Sequence, residues 1–282
     1  MINRRLCLLA CAAAALSGCT GVFFQPTRAL YRKPEDLGLK YEAVRFSSSD
    51  GVGLTGLFLF ASTGPVRGTV VQFHGNGENM TSHFGFSYWL TAYGYNVFIF
   101  DYRGYGASDG SASESGAVAD GTAALDYVRR RKDVDPERLA VWGQSLGGAI
   151  AVASVSKAKN LRLRALILES AFNSYQDMAE DVLSRSVLTW ALRWPLSRLL
   201  ISDRESPERF SRGLPACPTL VIAGDKDRVV PKRLSERLYA KLKSPKEFWE
   251  VPDGGHLEAF NRLGAIYRPR LAAFLDGAFP GQ

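Results

Sequence analysis

Gly143, Ser145 and Gly147 sit where the character of the sequence changes. Leu139, Ala140, Val141 and Trp142 before them form an apolar run suited to a buried strand, and Gly148, Ala149, Ile150 and Ala151 after them continue at helical spacing. A serine at the apex of such a strand–turn–helix is a G-x-S-x-G nucleophile elbow, whose strained turn lifts the hydroxyl above a sheet. The chemistry is attack of that hydroxyl on a carbonyl carbon, and it needs a base, a group to orient the base and donors for the oxyanion. Of three histidines, His74 ends an apolar run before a Gly-rich loop and reads as structural, while His83 reads as a surface or cap residue near a helix start. In elbow architectures the acid and then the base follow the serine along the chain, which leaves His256 as the base. Asp225 and Asp227 both follow an apolar run ending at Gly224, and spacing does not choose between them as the orienting acid. The oxyanion donors expected are the backbone NH of Leu146, at the helix start, and that of Asn76, between Gly75 and Gly77.

These groups need elements to place them. Strands are expected over 41–46 and 54–60 as an antiparallel hairpin, then over 69–73, 96–100, 139–142, 164–168, 219–223 and 247–251. Helices are expected over 82–93, 114–131, 148–155, 234–242 and 257–275, with Ser113 capping the second. Apolar runs alternating with helices predict an α/β fold, a mostly parallel twisted sheet covered on both faces. Residues 173–213 interrupt the alternation and read as a small helical cap insertion. Trp190 and Trp194, four residues apart, would share a helix face and are candidates for the substrate pocket.

Taken together, His74 to Gly77, Asp101 to Ser108, Gly143 to Gly147, Gly224 to Asp227 with Val230 and Pro231, and Gly255 with His256 resemble the α/β-hydrolase superfamily. The resemblance spans 41–278. Within the superfamily the chain is similar to membrane-associated serine hydrolases that include depalmitoylating thioesterases, and more distantly to prolyl-oligopeptidase-like and prolyl-aminopeptidase groups. It implies a Ser145, Asp227, His256 triad, with Asp225 structural, and an oxyanion hole from Asn76 and Leu146. It also implies that Asp101, Arg103 and Gly104 are structural. The expected activity is cofactor-independent cleavage of ester or thioester bonds in a small-molecule or lipid-like acyl substrate. The alternatives are a peptidase or aminopeptidase on the same triad, or a non-catalytic envelope protein retaining the fold. Peptidase relatives usually carry a large accessory domain or acidic cap residues, and here the insertion offers only Glu180 and Asp181 as an acidic pair.

The N-terminus reads separately. Arg4 and Arg5 precede an apolar stretch over 6–16, and Leu16, Ser17, Gly18 and Cys19 follow, an order that resembles a bacterial lipoprotein signal with its lipobox. The expectation is a signal over 1–18, lipid on Cys19, a tether over 19–40 and a domain over 41–282. Thr20 after the Cys favours the periplasmic face of the outer membrane by the same resemblance. Cys7, Cys11 and Cys19 belong to that region, so Cys217 alone remains and no internal disulfide is expected. The formal charge of +7 becomes +5 once Arg4 and Arg5 are removed. The run from Arg129 to Lys132 reads as a solvated helix end, so no nucleic-acid partner is expected, and no Cys/His spacing suggests a metal. Oligomeric state does not follow from the sequence.

Overall fold

A computed structural model describes residues 23–243 and 245–280. Eight strands form one sheet: β1 (Tyr41–Ser47), β2 (Gly53–Leu59), β3 (Gly68–Phe73), β4 (Tyr95–Phe100), β5 (Leu139–Gln144), β6 (Ala165–Glu169), β7 (Thr219–Gly224) and β8 (Lys246–Val251). Their order is β1-β2-β4-β3-β5-β6-β7-β8. The β1–β2 and β2–β4 pairs are antiparallel, and every pair from β4–β3 to β7–β8 is parallel. The parallel strands β3 to β7 are buried along their whole length, as their continuous apolar runs require. The expected α/β-hydrolase fold is therefore the observed one.

The helices are α1 (Met80–His83), α2 (Glu114–Arg129), α3 (Leu146–Lys157), α4 (Tyr175–Ser184), α5 (Val187–Trp190), α6 (Arg193–Leu200), α7 (Pro207–Phe210), α8 (Lys232–Lys241) and α9 (Gly264–Ala278). Ser113 caps α2 as expected, its side chain accepting from the Gly116 NH. The single helix expected over 82–93 is instead α1 followed by two 3-10 segments, Phe84–Phe86 and Tyr88–Tyr93. Phe84, Trp89 and Leu90 are all buried there, and tight turns let these bulky side chains reach the core within a short span. Residues 257–263 form turns, so the last helix starts only at Gly264.

Two further expectations change. The stretch expected as a tether is packed onto the domain from Phe23 onward. Phe24 is buried, Phe23 lies edge-on to Tyr175 at 5.1 Å, and the NH of Thr27 donates to the Glu78 carbonyl at 3.3 Å. Cys19 and the signal lie outside the described residues. In the basic run after α2, Arg131 is turned inward, its guanidinium 4.1 Å from the centre of the Phe58 ring and paired with Glu42 and Asp133. Solvation does not hold it; stacking and two carboxylates do. Cys217 is buried and free, and burial pushes its thiol up to about 11. Among the described residues, no helix is long and apolar enough to cross a membrane.

Candidate active site

The sheet order reverses around β3. The chain leaves it for β4 on one side and returns to β5 on the other. Open α/β sheets form their crevice at such a switch point, beyond the carboxyl ends of the strands. Asn76 follows β3 and Ser145 follows β5, so the sheet itself brings them together, and both line one pocket.

Ser145 has φ 54° and ψ −121°. A positive φ at a non-glycine residue costs about 1–3 kcal/mol and persists only where the surroundings hold it. Here the Ser145 NH donates to the Glu169 carbonyl at 2.9 Å, and its own carbonyl accepts from the Gly148 NH at 3.0 Å. The flanking glycines are required by close backbone approach. A Cβ on Gly147 would stand 2.2 Å from the Phe73 carbonyl oxygen, and one on Gly143 would stand 2.6 Å from the Gly148 Cα. Leu146 is the first residue of α3, so its NH is among those an α-helix leaves without an internal partner.

A buried polar ladder runs beneath the elbow. Ser87 donates to Gln72 Oε1, Gln72 Nε2 donates to Gln144 Oε1 at 2.8 Å, and Gln144 Nε2 donates to Glu169 Oε2 at 2.8 Å. The ladder crosses β3, β5 and β6, passes through Gln144, the residue before Ser145, and ends on Glu169. Burial pushes the Glu169 carboxyl up to about 7, against the opposing hydrogen bond from Gln144.

The acid and base arrive from the far half of the sheet. Asp227 follows β7 and His256 follows β8. His256 Nδ1 lies 2.8 Å from Asp227 Oδ2. Asp227 Oδ1 accepts from the NH groups of Val229 and Val230, both at 2.9 Å. Burial alone would raise this carboxyl, but the hydrogen bond and charge of His256 and the Val230 NH outweigh it and hold Asp227 below its ordinary value. Asp225 is exposed and serves the turn through its NH, which donates to the Val251 carbonyl at 3.2 Å. Of the two aspartates, Asp227 is the one in contact with the His256 imidazole.

The other two histidines are different. His74 is wholly buried, and its Nδ1 must donate to the Gly75 carbonyl at 2.8 Å, since a carbonyl only accepts. Its Nε2 lone pair then faces the Asp101 carboxyl at 3.6 Å. Burial pushes His74 down to about 3 and Asp101 up to about 7. His83, expected at the surface, is buried too, and burial lowers it to about 4. Its Cε1 and the Ser145 Cβ would each lie 3.5 Å from a side chain on Gly75, which puts it behind the loop bearing Asn76.

Asn76 Oδ1 accepts from the NH groups of Gln25 and Gly77, both at 2.8 Å, and from the Tyr105 hydroxyl at 3.1 Å. Three donors on one side chain fix the loop, and the Asn76 NH is not among them. One of the three comes from the N-terminal stretch.

The pocket encloses about 360 Å³ and is apolar apart from Ser145 and Asn76. Phe23 and Phe172 wall it with Met178, Val182 and Leu183 of α4, Leu196 and Leu200 of α6, and Val229 and Val230. Trp190 and Trp194 do not line it. The chain breaks helix at Ala191 and Leu192, so the two tryptophans sit on separate helices and point outward, 57% and 61% exposed. The pocket residues were hidden in the sequence because they come from four separate segments; only Val229 and Val230, next to Asp227, carried a local signal. A wider groove of about 660 Å³ between β1 and α2 has no histidine in its lining. Among the described residues, no cluster of His, Cys, Asp or Glu is arranged to hold a metal.

The chain is similar to known proteins over most of its length. A family model described as serine aminopeptidase, S33, matches residues 64–215, which include Ser145 but end before Asp227 and His256. The chain is 38% identical to the Escherichia coli O157:H7 protein YfhR over 245 residues, covering 86% of this chain and 82% of that one. A Pyrococcus furiosus esterase superposes with a TM-score of 0.73 at 19% identity, over 92% of this chain and 99% of its own. A puromycin-hydrolyzing peptidase of Mycobacterium tuberculosis superposes with a TM-score of 0.67 at 21% identity, over 86% of this chain and 40% of its own.

Proposed function

Since the chain belongs to the serine aminopeptidase S33 family and is an α/β-hydrolase enzyme of the type that cleaves ester or peptide bonds, we propose that it acts on carboxylic esters and thioesters with an apolar acyl chain. The observation that carries this reading is the pocket wall: beside Ser145 lies apolar surface from four segments and no carboxylate. His256, oriented by Asp227 through Nδ1, takes the Ser145 proton on Nε2 as the hydroxyl attacks the acyl carbonyl. The NH groups of Leu146 and Asn76 receive the oxyanion, and each such donor contributes about 2.7–4 kcal/mol to the barrier reduction. His256 returns the proton to the leaving alcohol or thiol. It then activates the water that frees the acid from Ser145.

The family description favours a second reading, an aminopeptidase on the same groups, over the ester expectation. An aminopeptidase needs an anion for the substrate ammonium, and the acidic pair of the cap is already engaged. Glu180 faces Arg198 at 3.4 Å and Arg193 at 3.9 Å, and Asp181 is bound by Arg185 and Arg233. One screen tests both: p-nitrophenyl esters of increasing acyl length beside aminoacyl and peptide reporters, on wild type and Ser145→Ala. The ester reading expects turnover that rises with chain length and vanishes with Ser145. Cleavage of aminoacyl reporters with intact esters would replace it by the second reading. The envelope placement rests on the N-terminal sequence. Cys19→Ala is expected to move the protein from membrane to soluble fraction, and unchanged membrane retention would remove the lipid from the account.

A further inference from the structure

The cap carries an apolar face that nothing among the described residues covers. Val187 and Leu188 of α5 are 95% and 91% exposed, and Leu199 of α6 is 72% exposed. Trp190, Leu192 and Trp194 between them are each more than half exposed. So many large apolar side chains on one short segment mark an interaction surface rather than ordinary surface scatter. The face is continuous with the pocket, because Val182 and Val229 are half exposed and also line the cavity beside Ser145.

Two observations identify the occupant. The first is where the chain enters. Residues 1–22 join the domain at Phe23, which lines this same pocket, and they include the apolar stretch over 6–16. Three residues separate Cys19 from Phe23, four Cα steps with a reach of about 14 Å when fully extended. An N-terminus held in a bilayer therefore brings the cap side of the domain to that bilayer. The second is side-chain chemistry. Tryptophans flanked by arginines suit a water–lipid boundary, and the Arg193 guanidinium stacks 4.8 Å from the centre of the Trp190 ring. The arginines of the rim are already paired, Arg185 with Asp181, Arg193 with Glu180 and Arg198 with Asp177. Attraction to the surface is then through apolar burial, with little net field.

We propose that the α5–α6 face of the cap docks in the interface of a lipid bilayer, so that the pocket mouth opens toward membrane-dissolved substrate. Delivery of acyl esters rests on the ester reading above; docking does not.

Bromolipid quenching tests it on the full-length protein bound to phosphatidylcholine vesicles. Trp89, Trp142 and Trp249 are buried in the core, so brominated acyl chains read Trp190 and Trp194. Quenching is expected, independent of salt, and lost in Trp190→Phe/Trp194→Phe although that variant still sediments with vesicles. In Leu188→Glu/Leu199→Glu, hydrolysis of a vesicle-dissolved long-chain ester is expected to fall roughly tenfold, the effect of about 1.4 kcal/mol, with a soluble short-chain ester unaffected. Vesicle-bound wild type with unquenched tryptophans would mean that the cap faces away and would overturn the proposal. So would a dimer in solution in which the same tryptophans are shielded, since the occupant would then be a second copy. Absence of any ester turnover with quenching intact would instead remove the ester reading and leave docking standing.

Discussion

Glu169→Gln separates the energetics of the site's foundation from its chemistry. The Glu169 carboxyl is buried at the end of the polar ladder and is pushed up to about 7 from an ordinary 4.5. A carboxyl raised on folding contributes its full stability below the unfolded pKa and loses it as pH rises through the folded one. Between pH 5 and 8 wild type therefore pays for keeping a proton, or a buried charge, that the unfolded chain does not need. A rise from 4.5 to about 7 corresponds to about 2–3 kcal/mol lost between pH 5 and 8. Glutamine does not titrate, and its Oε1 can still accept from Gln144 Nε2. Its amide also meets the indole NH of Trp142, which lies near the carboxyl, and that conflict adds a constant offset at every pH. The expectation is thus a slope: urea unfolding should show the variant gaining about 2–3 kcal/mol on wild type from pH 5 to pH 8. Asp101 and Glu114 are also pushed up to about 7 by burial, but both proteins contain them and their effects cancel. A difference between the two proteins that stays constant across this range, within about 0.5 kcal/mol, would refute the argument.

Three other changes probe the elbow, its support and the pocket. In Gly147→Ala the new Cβ meets the carbonyl oxygens of Phe73 and His74 at 2.2 and 2.3 Å, so α3 must move away from β3 and Ser145 with it. We expect about 1–3 kcal/mol lost in thermal or urea unfolding and more than about a hundredfold lost in kcat; near-normal kcat would show that the elbow tolerates the shift. Arg103 binds the fully buried Asp120 at 2.7 Å and Asp50 at 2.8 Å. Arg103→Ala should cost about 3–5 kcal/mol by stranding Asp120, and Arg103→Ala/Asp120→Asn should recover part of it; no recovery would mean that packing, not charge, is lost. Met178→Trp fills the pocket from α4, so the ester series should shift its optimum to shorter acyl chains with the shortest ester unaffected, and an unchanged profile would place the acyl chain elsewhere.

The strand ends that carry the candidate site were legible because strand ends announce themselves. Gly143, Ser145 and Gly147 encode a turn that only small residues permit, and His256 was the one histidine left at the right end of the chain. Asp225 and Asp227 marked the limit of that logic. Both sit at a strand end, and only the path of the backbone after Gly224 brings Asp227 to 2.8 Å from the imidazole. His83 read as a surface residue because a lone histidine near a helix start has no local signature of burial; its environment is made by the Gly75 loop. The stretch after Phe23 showed no periodicity, since it is held by isolated contacts such as Gln25 to Asn76 and Thr27 to Glu78. Trp190 and Trp194 misled for the opposite reason. Their spacing fits one helix, but the helix ends between them.

Reactivity and selectivity are consequently built from different material. Ser145, Asp227 and His256 stand at the ends of β5, β7 and β8, where the sheet dictates their separation. The pocket wall beside Ser145 comes instead largely from the N-terminal stretch and the cap, joined to the sheet through side-chain contacts. That division explains why esterases and peptidases share one fold, and it points to where the two readings of this chain diverge. The cap acids Asp177, Glu180 and Asp181 could in principle receive a substrate ammonium, yet Arg198 and Arg237 take the first, Arg193 and Arg198 the second, and Arg185 and Arg233 the third. An ammonium entering this pocket would be desolvated against apolar walls with each of those three carboxylates already neutralised, a cost that an acyl chain does not meet.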